Sequence, residues 1–267
     1  MLTLRDFTTG LRRLDIDPSH PVIVHASLSA FGEVHQGVQT ILGALTSLFE
    51  TIIMPTFTYK TMVTPEVGPP DNAIVYGSDK DRNRMAEFFS SDMPADSMMG
   101  VLAEALRNHP EAVRTDHPIL SFSGIHAEHI LAFQATWEPL LHIQALVDEE
   151  GWVLLMGVDE TVNTSIHYAE KLSGRKQFIR WALTPSGVIP CQGFPGCSQG
   201  FEQVTPNLKA NIRTIRLGET FVRAIPLVYL MDVVCGMLKT DPLALLCNRE
   251  DCERCNAVRV SVVERSN

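Results

Sequence analysis

The chain has 267 residues, of which 45% are hydrophobic and 20% charged, a composition typical of a folded globular protein. Its net charge of −9 disfavours a nucleic-acid-binding surface, which requires a basic stripe. The sequence shows neither a secretion-signal pattern nor an apolar run long enough to cross a membrane, so it predicts a cytoplasmic protein without a membrane partner.

Strand and helix patterns alternate through the first half of the chain, as in α/β domains. The predicted elements are a helix over Leu4–Leu14, a strand over Pro21–His25, a helix over Val38–Phe49, a strand over Thr51–Met54, a helix over Ser97–Arg107 and a strand over Ile119–Gly124. Two further helical stretches lead up to Glu149.

The second half starts with a strand over Gly151–Gly157 that runs directly into a helix beginning near Asn163 or Thr164. The remaining predicted elements are a hairpin of Phe178–Leu183 with Val188–Cys191 and helices over Phe201–Leu208 and Ile225–Leu238. We therefore predict one domain over residues 1–267, an α/β sandwich with helices on both sides of a mixed sheet.

The segment from about residue 59 to 94 is rich in Pro, Gly and Asp. It is too long for a simple connection between two elements of a compact domain. Long loops on a rigid scaffold often contact substrates. We predict that this segment faces a substrate.

A run of eight residues, NTSIHYAE, places Thr164, His167 and Glu170 at steps of three. On a helix this spacing keeps all three on one broad face. A carboxylate next to an imidazole fixes its tautomer and stabilises the imidazolium that forms when it takes up a proton. The motif is consistent with a general base and its partner, or with an N-capping Thr beside an ordinary polar pair.

Two segments beside predicted strands carry polar side chains. His25, Ala26, Ser27, Leu28 and Ser29 leave the first strand towards a helix, and residues 114–122 supply an arginine, a histidine and a serine beside another strand. Hydroxyl and N–H groups at the carboxyl end of a strand suit the amides and phosphates of an extended cofactor. Taken alone, either segment is also consistent with an ordinary turn.

The cysteines do not form a complete metal motif. Cys247, Cys252 and Cys255 offer three thiolates, and no histidine follows them. The sequence therefore predicts reduced thiols in a Cys-rich C-terminal tail over about residues 247–267, and no metal. A fourth ligand from elsewhere in the chain and a disulfide remain alternatives.

Five sequence blocks in order resemble the aminoglycoside 3-N-acetyltransferase family. They are HASLSAFGEVHQG, IMPTFT, MMGVLAEALR with RTDHPILSF, GVDETVNTSIHYAE and PGCSQGF, and they cover roughly residues 20 to 205. The resemblance implies an α/β/α sandwich that differs from the GCN5-related acetyltransferase fold. It also implies acetyl-CoA as co-substrate and acetylation of an amine on the deoxystreptamine ring of an aminoglycoside.

The resemblance also implies roles for particular residues. His167 matches the family's catalytic base, Glu170 its carboxylate partner and Thr164 the hydroxyl near the acetyl carbonyl. The residues that match the CoA-binding segments are His25, Ala26, Ser27, Leu28, Ser29, Arg114, His117, Ser121 and Phe122. We expect Tyr59, Asn163 and Glu202 to contact the substrate, the last by pairing with an ammonium group.

The expected mechanism is direct acetyl transfer in a ternary complex, in which neutral His167 accepts the proton of the attacking amine. No metal is expected to take part. One alternative is the same chemistry on another polycationic amine or small metabolite. The other is a CoA-binding protein without useful catalysis, and in each case we expect a monomer or a homodimer.

Overall fold

The computed structural model describes residues 1–78 and 80–266 and confirms the α/β class. Up to residue 131 the elements are α1 (Leu4–Arg12), β1 (Val22–Ala26), α2 (Val38–Thr46), β2 (Ile52–Pro55), β3 (Met62–Val63), α3 (Lys80–Arg84), α4 (Gly100–Arg107), β4 (Ala112–Arg114), β5 (Phe122–Ile125) and α5 (Glu128–Leu131). The remaining ones are α6 (His142–Asp148), β6 (Trp152–Met156), α7 (Thr164–Leu172), β7 (Phe178–Thr184), β8 (Gly187–Phe194), α8 (Thr205–Leu208), β9 (Arg213–Leu217), β10 (Thr220–Pro226), α9 (Leu227–Thr240) and α10 (Glu253–Ser266).

Seven strands form the main sheet in the order β4-β5-β2-β1-β6-β10-β9. The central strand β1 pairs in parallel with both β2 and β6, whereas the outer pairs are antiparallel. The sheet is therefore mixed, as predicted. Because the three parallel strands run the same way, the loops after their carboxyl ends meet at one edge of the sheet.

The two faces of the sheet are covered by different helices. Val22 and Val24 of β1 pack with α1, α2 and α4, whereas Ile23 belongs to the core that includes residues of α6, α7 and α9. Successive side chains of a strand point to opposite faces, so a strand buried on both sides reads as a continuous apolar run. This is the predicted sandwich with a helical layer on each side.

A second, three-stranded sheet has the order β3-β7-β8. Its β7–β8 pair is the hairpin predicted from the sequence, and β3 comes from the long segment over residues 59–94. That segment is thus partly ordered by pairing with β7. The sequence analysis did not separate this sheet from the main one.

Further elements were missing from the sequence prediction, namely helices α3 and α10 and strands β4, β9 and most of β10. Strand β4 has only three residues, and the predicted helix over Ile225–Leu238 begins at Leu227 because the apolar run before it continues strand β10. The Cys-rich region contains helix α10, in which Cys255 and Val258 are buried in the core. Within the described residues, the structure has no helix long and apolar enough to span a membrane.

Candidate active site

A cleft of about 1240 Å³ opens at the edge of the main sheet where the parallel strands end. Its floor comes from the loops after β1, β2 and β6, and the start of α4 and the second sheet form its walls. The start of α4 lies so close to β1 that a Cβ on Gly100, whose φ is +80°, would stand 3.3 Å from the Ala26 carbonyl oxygen. A glycine permits this conformation and this approach.

The segment after β1 lines the cleft over its whole predicted length, from His25 to Ser29. The hydroxyl groups of Ser27 and Ser29 lie 3.1 Å apart. Among the residues that the structure describes, Nε2 of His25 has no hydrogen-bond partner, and burial lowers the pKa of this imidazole to about 4. Neutral His25 therefore offers an unpaired ring nitrogen beneath the cleft.

Helix α7 begins at the cleft because Asn163 caps it. The Asn163 side-chain oxygen accepts the N–H of Ser165 at 3.2 Å, and its amide donates to Glu160 at 2.8 Å. Asn163, Thr164 and His167 line the cleft, while Glu170 lies one turn further from it. Both polar atoms of Asn163 are thus engaged within the protein.

Behind the cleft, His167 and Glu170 form a buried polar chain with Arg175. Nδ1 of His167 lies 2.7 Å from one Glu170 carboxylate oxygen, and Arg175 donates to the other at 2.6 Å. Arg175 also donates to the carbonyl oxygens of Pro242 and Ala244. The carboxylate fixes the imidazole so that Nε2 is the nitrogen left for the cleft.

Arg175 was missed by the sequence analysis, since it lies beyond the helix and five residues after Glu170. Its backbone N–H donates to the Glu170 carbonyl, which turns the chain back at the helix end. The ring of Phe201 packs edge-on against His167, with centroids 4.6 Å apart. The imidazole is therefore held on one side by a carboxylate and on another by an apolar ring.

Two of the three expected substrate residues line the cleft, and one does not. Tyr59 lies in the wall, where burial raises the pKa of its hydroxyl to about 12, so it stays protonated. Glu202 is not among the lining residues. Its carboxylate accepts the N–H of Glu160 at 3.1 Å and lies 3.5 Å from Arg223.

The second predicted CoA segment lies behind the cleft wall rather than in it. Arg114 donates to the Ser121 hydroxyl at 3.2 Å, to the Thr56 carbonyl at 2.8 Å and to the carbonyls of Ser91 and Met93. Phe122 is fully buried in the core. The structure thus places residues 25–29 in the lining of the cleft. Arg114, Ser121 and Phe122 lie behind this lining.

His117 is also absent from the cleft lining. Its Nδ1 accepts the N–H groups of Ile119 and Leu120, at 3.1 and 2.9 Å. Burial lowers the pKa of the imidazole to about 4. His117 shapes the turn that enters β5.

Three charged residues of the cleft were not predicted. Arg180 and Arg254 lie with their guanidinium carbons 5.0 and 6.0 Å from the centre of the Phe194 ring, and Glu253 lies beside Arg254 at the start of α10. Arg180 donates to the Asn72 carbonyl and Arg254 to the Gly196 carbonyl. Their positions depend on the second sheet and on α10, which no local motif reveals.

Comparison with known proteins identifies the family. Residues 23–239 match the model of the aminoglycoside 3-N-acetyltransferase family, which extends the region of resemblance beyond residue 205. The chain belongs to this family.

Two relatives illustrate the similarity. The chain is 32% identical over 177 residues to the prophage-derived aminoglycoside N(3')-acetyltransferase-like protein YokD of Bacillus subtilis, a match that covers 63% of this chain and 64% of that protein. It is 30% identical over 185 residues to aminoglycoside N(3)-acetyltransferase IX of Micromonospora chalcea, which covers 64% and 63%. The match thus spans a little under two thirds of the length of these relatives.

The fold is shared over a longer stretch. The apoenzyme structure of aminoglycoside acetyltransferase AAC(3)-IVa superposes with a TM-score of 0.79 at 23% identity and covers 97% of both chains. Solved structures of the same fold include AAC-IIIb with CoASH and a histidine-to-alanine variant of AAC(3)-IVa with a gentamicin. These enzymes do not have the GCN5-related fold, in agreement with the prediction.

Proposed function

We propose that the protein transfers the acetyl group of acetyl-CoA to the 3-amino group of an aminoglycoside, with His167 as general base. The observation that carries this proposal is the buried 2.7 Å contact between His167 and Glu170 in the wall of a large cleft. A base held in one tautomer, with its other nitrogen towards the cleft, suits proton transfer from a bound amine.

The reaction needs a neutral amine, because an ammonium group has no lone pair to attack the thioester. In the proposed ternary complex, Nε2 of His167 takes the proton while the amine nitrogen bonds to the acetyl carbon. The C–S bond then breaks, and the sulfur takes up the proton from the His167 imidazolium, so that CoA leaves as the thiol and His167 is neutral again. Glu170 stabilises the imidazolium, and Arg175 donates to the other oxygen of the same carboxylate.

The cleft supplies donors for the oxygen that becomes negative during the attack. Thr164 stands at the first position of α7, where backbone N–H groups have no partner within the helix. Its hydroxyl and N–H are our candidates for stabilising the oxyanion. Loss of one such donor typically lowers the rate by about 100-fold or more.

We assign acetyl-CoA to the segment over residues 25–29. This segment follows the carboxyl end of a central parallel strand, the usual place for an extended ligand in such sheets. Ser27 and Ser29 offer hydroxyl groups for the amides of the pantetheine arm. The fourfold engagement of Arg114 with protein oxygens makes it a positioning residue of the wall instead.

A cysteine acyl-enzyme is not part of the proposal. Cys197 lies in the loop after β8, yet it does not line the cleft, although its neighbours Gly196 and Ser198 do. Its side chain is buried on the far side of that loop, among other cysteines. Direct transfer requires no nucleophile from the protein.

The charges of the cleft favour one second candidate, the same reaction on an amine with fewer positive charges. The described lining contains two guanidinium groups, of Arg180 and Arg254, and a single carboxylate, of Glu253. An aminoglycoside carries several ammonium groups and gains most from acidic partners. Because the cleft offers few acidic partners, an aminoglycoside would be attracted to this protein chiefly by the net charge of −9.

The test is thiol release from acetyl-CoA with a panel of aminoglycosides and of monoamines, followed by mass spectrometry and NMR of the product. We expect aminoglycoside-dependent release and a product acetylated at the 3-amino group. Release with monoamines alone would transfer the assignment to the second candidate. Binding of CoA without release in any reaction would leave only a CoA-binding protein.

A further inference from the structure

Four cysteines meet behind the wall of the cleft. Cys197 comes from the loop after β8, and Cys247, Cys252 and Cys255 come from the C-terminal region. Their sulfur atoms all lie within 4.8 Å of one another, and all six cysteines of the chain are free thiols. The fold thus supplies the fourth thiol that the C-terminal trio lacks in the sequence.

The spacing of these sulfurs fits one metal ion. A tetrahedral ion with metal–sulfur bonds of about 2.3 Å holds four thiolates about 3.8 Å apart. A set of four sulfur ligands is typical of zinc or iron. An iron–sulfur cluster would separate the thiolates more widely, because several irons and sulfides stand between them. A disulfide would join only two of the four sulfurs, at about 2.0 Å.

Backbone groups are arranged to stabilise thiolates at this position. The N–H of Gln199 donates to the sulfur of Cys197, that of Cys255 to Cys252 and that of Cys247 to Cys255. Hydrogen bonds of this kind commonly support metal-bound sulfur.

We propose that Cys197, Cys247, Cys252 and Cys255 bind one zinc ion in a structural site. All four ligand positions are occupied by protein, which leaves no open position for a substrate and distinguishes a structural site from a catalytic one. The proposal does not depend on which amine is acetylated. It replaces the sequence prediction of reduced, metal-free thiols.

The site would join helix α10 to the cleft wall. Glu253 and Arg254, the two residues between Cys252 and Cys255, both line the cleft, as do Gly196 and Ser198 on either side of Cys197. Arg254 donates to the Gly196 carbonyl at 2.8 Å, which already links the two segments. One ion would therefore hold both the loop and the start of α10 against the same wall.

The two segments approach so closely that side chains are excluded between them. A Cβ built on Gly200 would lie 2.3 Å from the Leu245 carbonyl oxygen and 2.7 Å from that of Leu246. Gln203 donates to the Leu246 carbonyl at 3.1 Å, and Arg259 to the Cys247 carbonyl at 2.6 Å. Since an unfolded chain has no such site, the free energy of zinc binding adds to the stability of the fold.

The first experiment is elemental analysis of the untagged full-length protein, purified without added metal or chelator. We expect one zinc per chain and no iron. Exchange of zinc for Co²⁺ should give the thiolate charge-transfer and d–d absorption bands of a tetrahedral site. Removal of the metal should lower Tm on the order of 10 °C.

Variants then locate the ion. Cys255→Ser should lose the zinc and the Co²⁺ bands, whereas Cys235→Ala, a half-buried cysteine outside the cluster, should keep both. If Cys255→Ser does not fold, the metal content and the cobalt spectrum of the wild-type protein decide the matter. The proposal would be overturned by a protein that is purified without metal, in which all four thiols of the cluster react with a thiol reagent and whose Tm does not change when a chelator is added. Iron in place of zinc, or a disulfide within the cluster, would also overturn it.

Discussion

Arg175 binds the oxygen of the Glu170 carboxylate that His167 leaves free, at 2.6 Å. The side chains of both residues are at most 3% exposed. The charge of the carboxylate is therefore compensated before any proton reaches the imidazole. This arrangement pairs a buried carboxylate with a buried guanidinium group beside the imidazole, and the guanidinium group in turn donates to two carbonyl oxygens.

Arg175→Met should destabilise the protein by about 3–5 kcal/mol, because it leaves the Glu170 carboxylate buried without its cation. Urea unfolding measures the change. The matched control is Arg249→Met, which breaks an exposed pair with Asp251 and should leave stability almost unchanged. Equal stability of the two variants would mean that the buried pair is not needed to hold Glu170. The double variant Glu170→Gln, Arg175→Met should recover part of the loss, since no buried charge remains unpaired.

Arg114→Ala should lower stability without a matching loss of acetyl-CoA affinity. The side chain joins the Ser121 hydroxyl to the carbonyls of three other residues, so its removal takes a donor from four acceptors, three of them in part-buried hydrogen bonds. We expect a loss of about 2–4 kcal/mol and a KM for acetyl-CoA within about twofold of wild type. Arg216→Ala, at an exposed position, is the control. A tenfold rise in KM with unchanged stability would return Arg114 to the CoA site.

Acid should destabilise the fold through three buried histidines. Burial lowers the pKa of His25 and His117 to about 4 and that of His142 to about 3, from an ordinary value of 6.5. As pH falls below about 6.5, these histidines become protonated in the unfolded chain but stay neutral in the folded one. The free energy of unfolding therefore decreases between that pH and the pKa values of the folded state. Each histidine contributes on the order of 3 kcal/mol to the loss.

Glu160 acts in the opposite direction, since burial raises its pKa to about 7 and its stabilising effect is lost as pH rises through that value. Three histidines should outweigh it between pH 6.5 and 4. His142→Phe should flatten the dependence on pH, because neither ring nitrogen of His142 has a hydrogen-bond partner within the described part of the chain. The exposed His129→Gln is the control. If the free energy of unfolding of His142→Phe depended on pH as steeply as that of the wild type, His142 would have the same pKa in the folded and unfolded states.

Glu253→Gln should raise the KM for a polycationic amine by about two- to fivefold and leave kcat and the KM for acetyl-CoA unchanged, as expected for an exposed ion pair of about 0.5–1 kcal/mol. Added salt should reduce the difference. Glu250→Gln is the matched control, because this exposed residue lies three positions earlier and outside the cleft lining. A KM that is equal in both variants would exclude Glu253 as a partner of the substrate.

The sequence predicts the placement of those candidate residues that a single element carries. The spacing of Thr164, His167 and Glu170 is a property of a single helix, and residues 25–29 simply follow a strand. The alternating patterns likewise yield the sandwich and its mixed sheet. Local periodicity determines all of these features.

The remaining parts depend on tertiary contacts. Arg175 meets Glu170 only because the chain turns back after α7, and Cys197 meets Cys247 across 50 positions of sequence through the packing of α10 on the loop after β8. Arg114 has the residue type of a phosphate ligand, but β4 directs it into the wall. The last two residues of β10, Ile225 and Pro226, were assigned to the following helix because a short apolar run fits either structure.

The central claim is that His167 accepts the proton of the attacking amine, and the most direct test compares His167→Ala with wild type in steady-state kinetics. Acetyl-CoA binding, measured in parallel by calorimetry, reports whether the cleft is intact. Loss of a general base typically lowers the rate by about 10²- to 10⁴-fold, so kcat should fall by this factor while the Kd for acetyl-CoA stays the same. A folded His167→Ala protein that acetylates its amine at a near-normal rate would contradict the account.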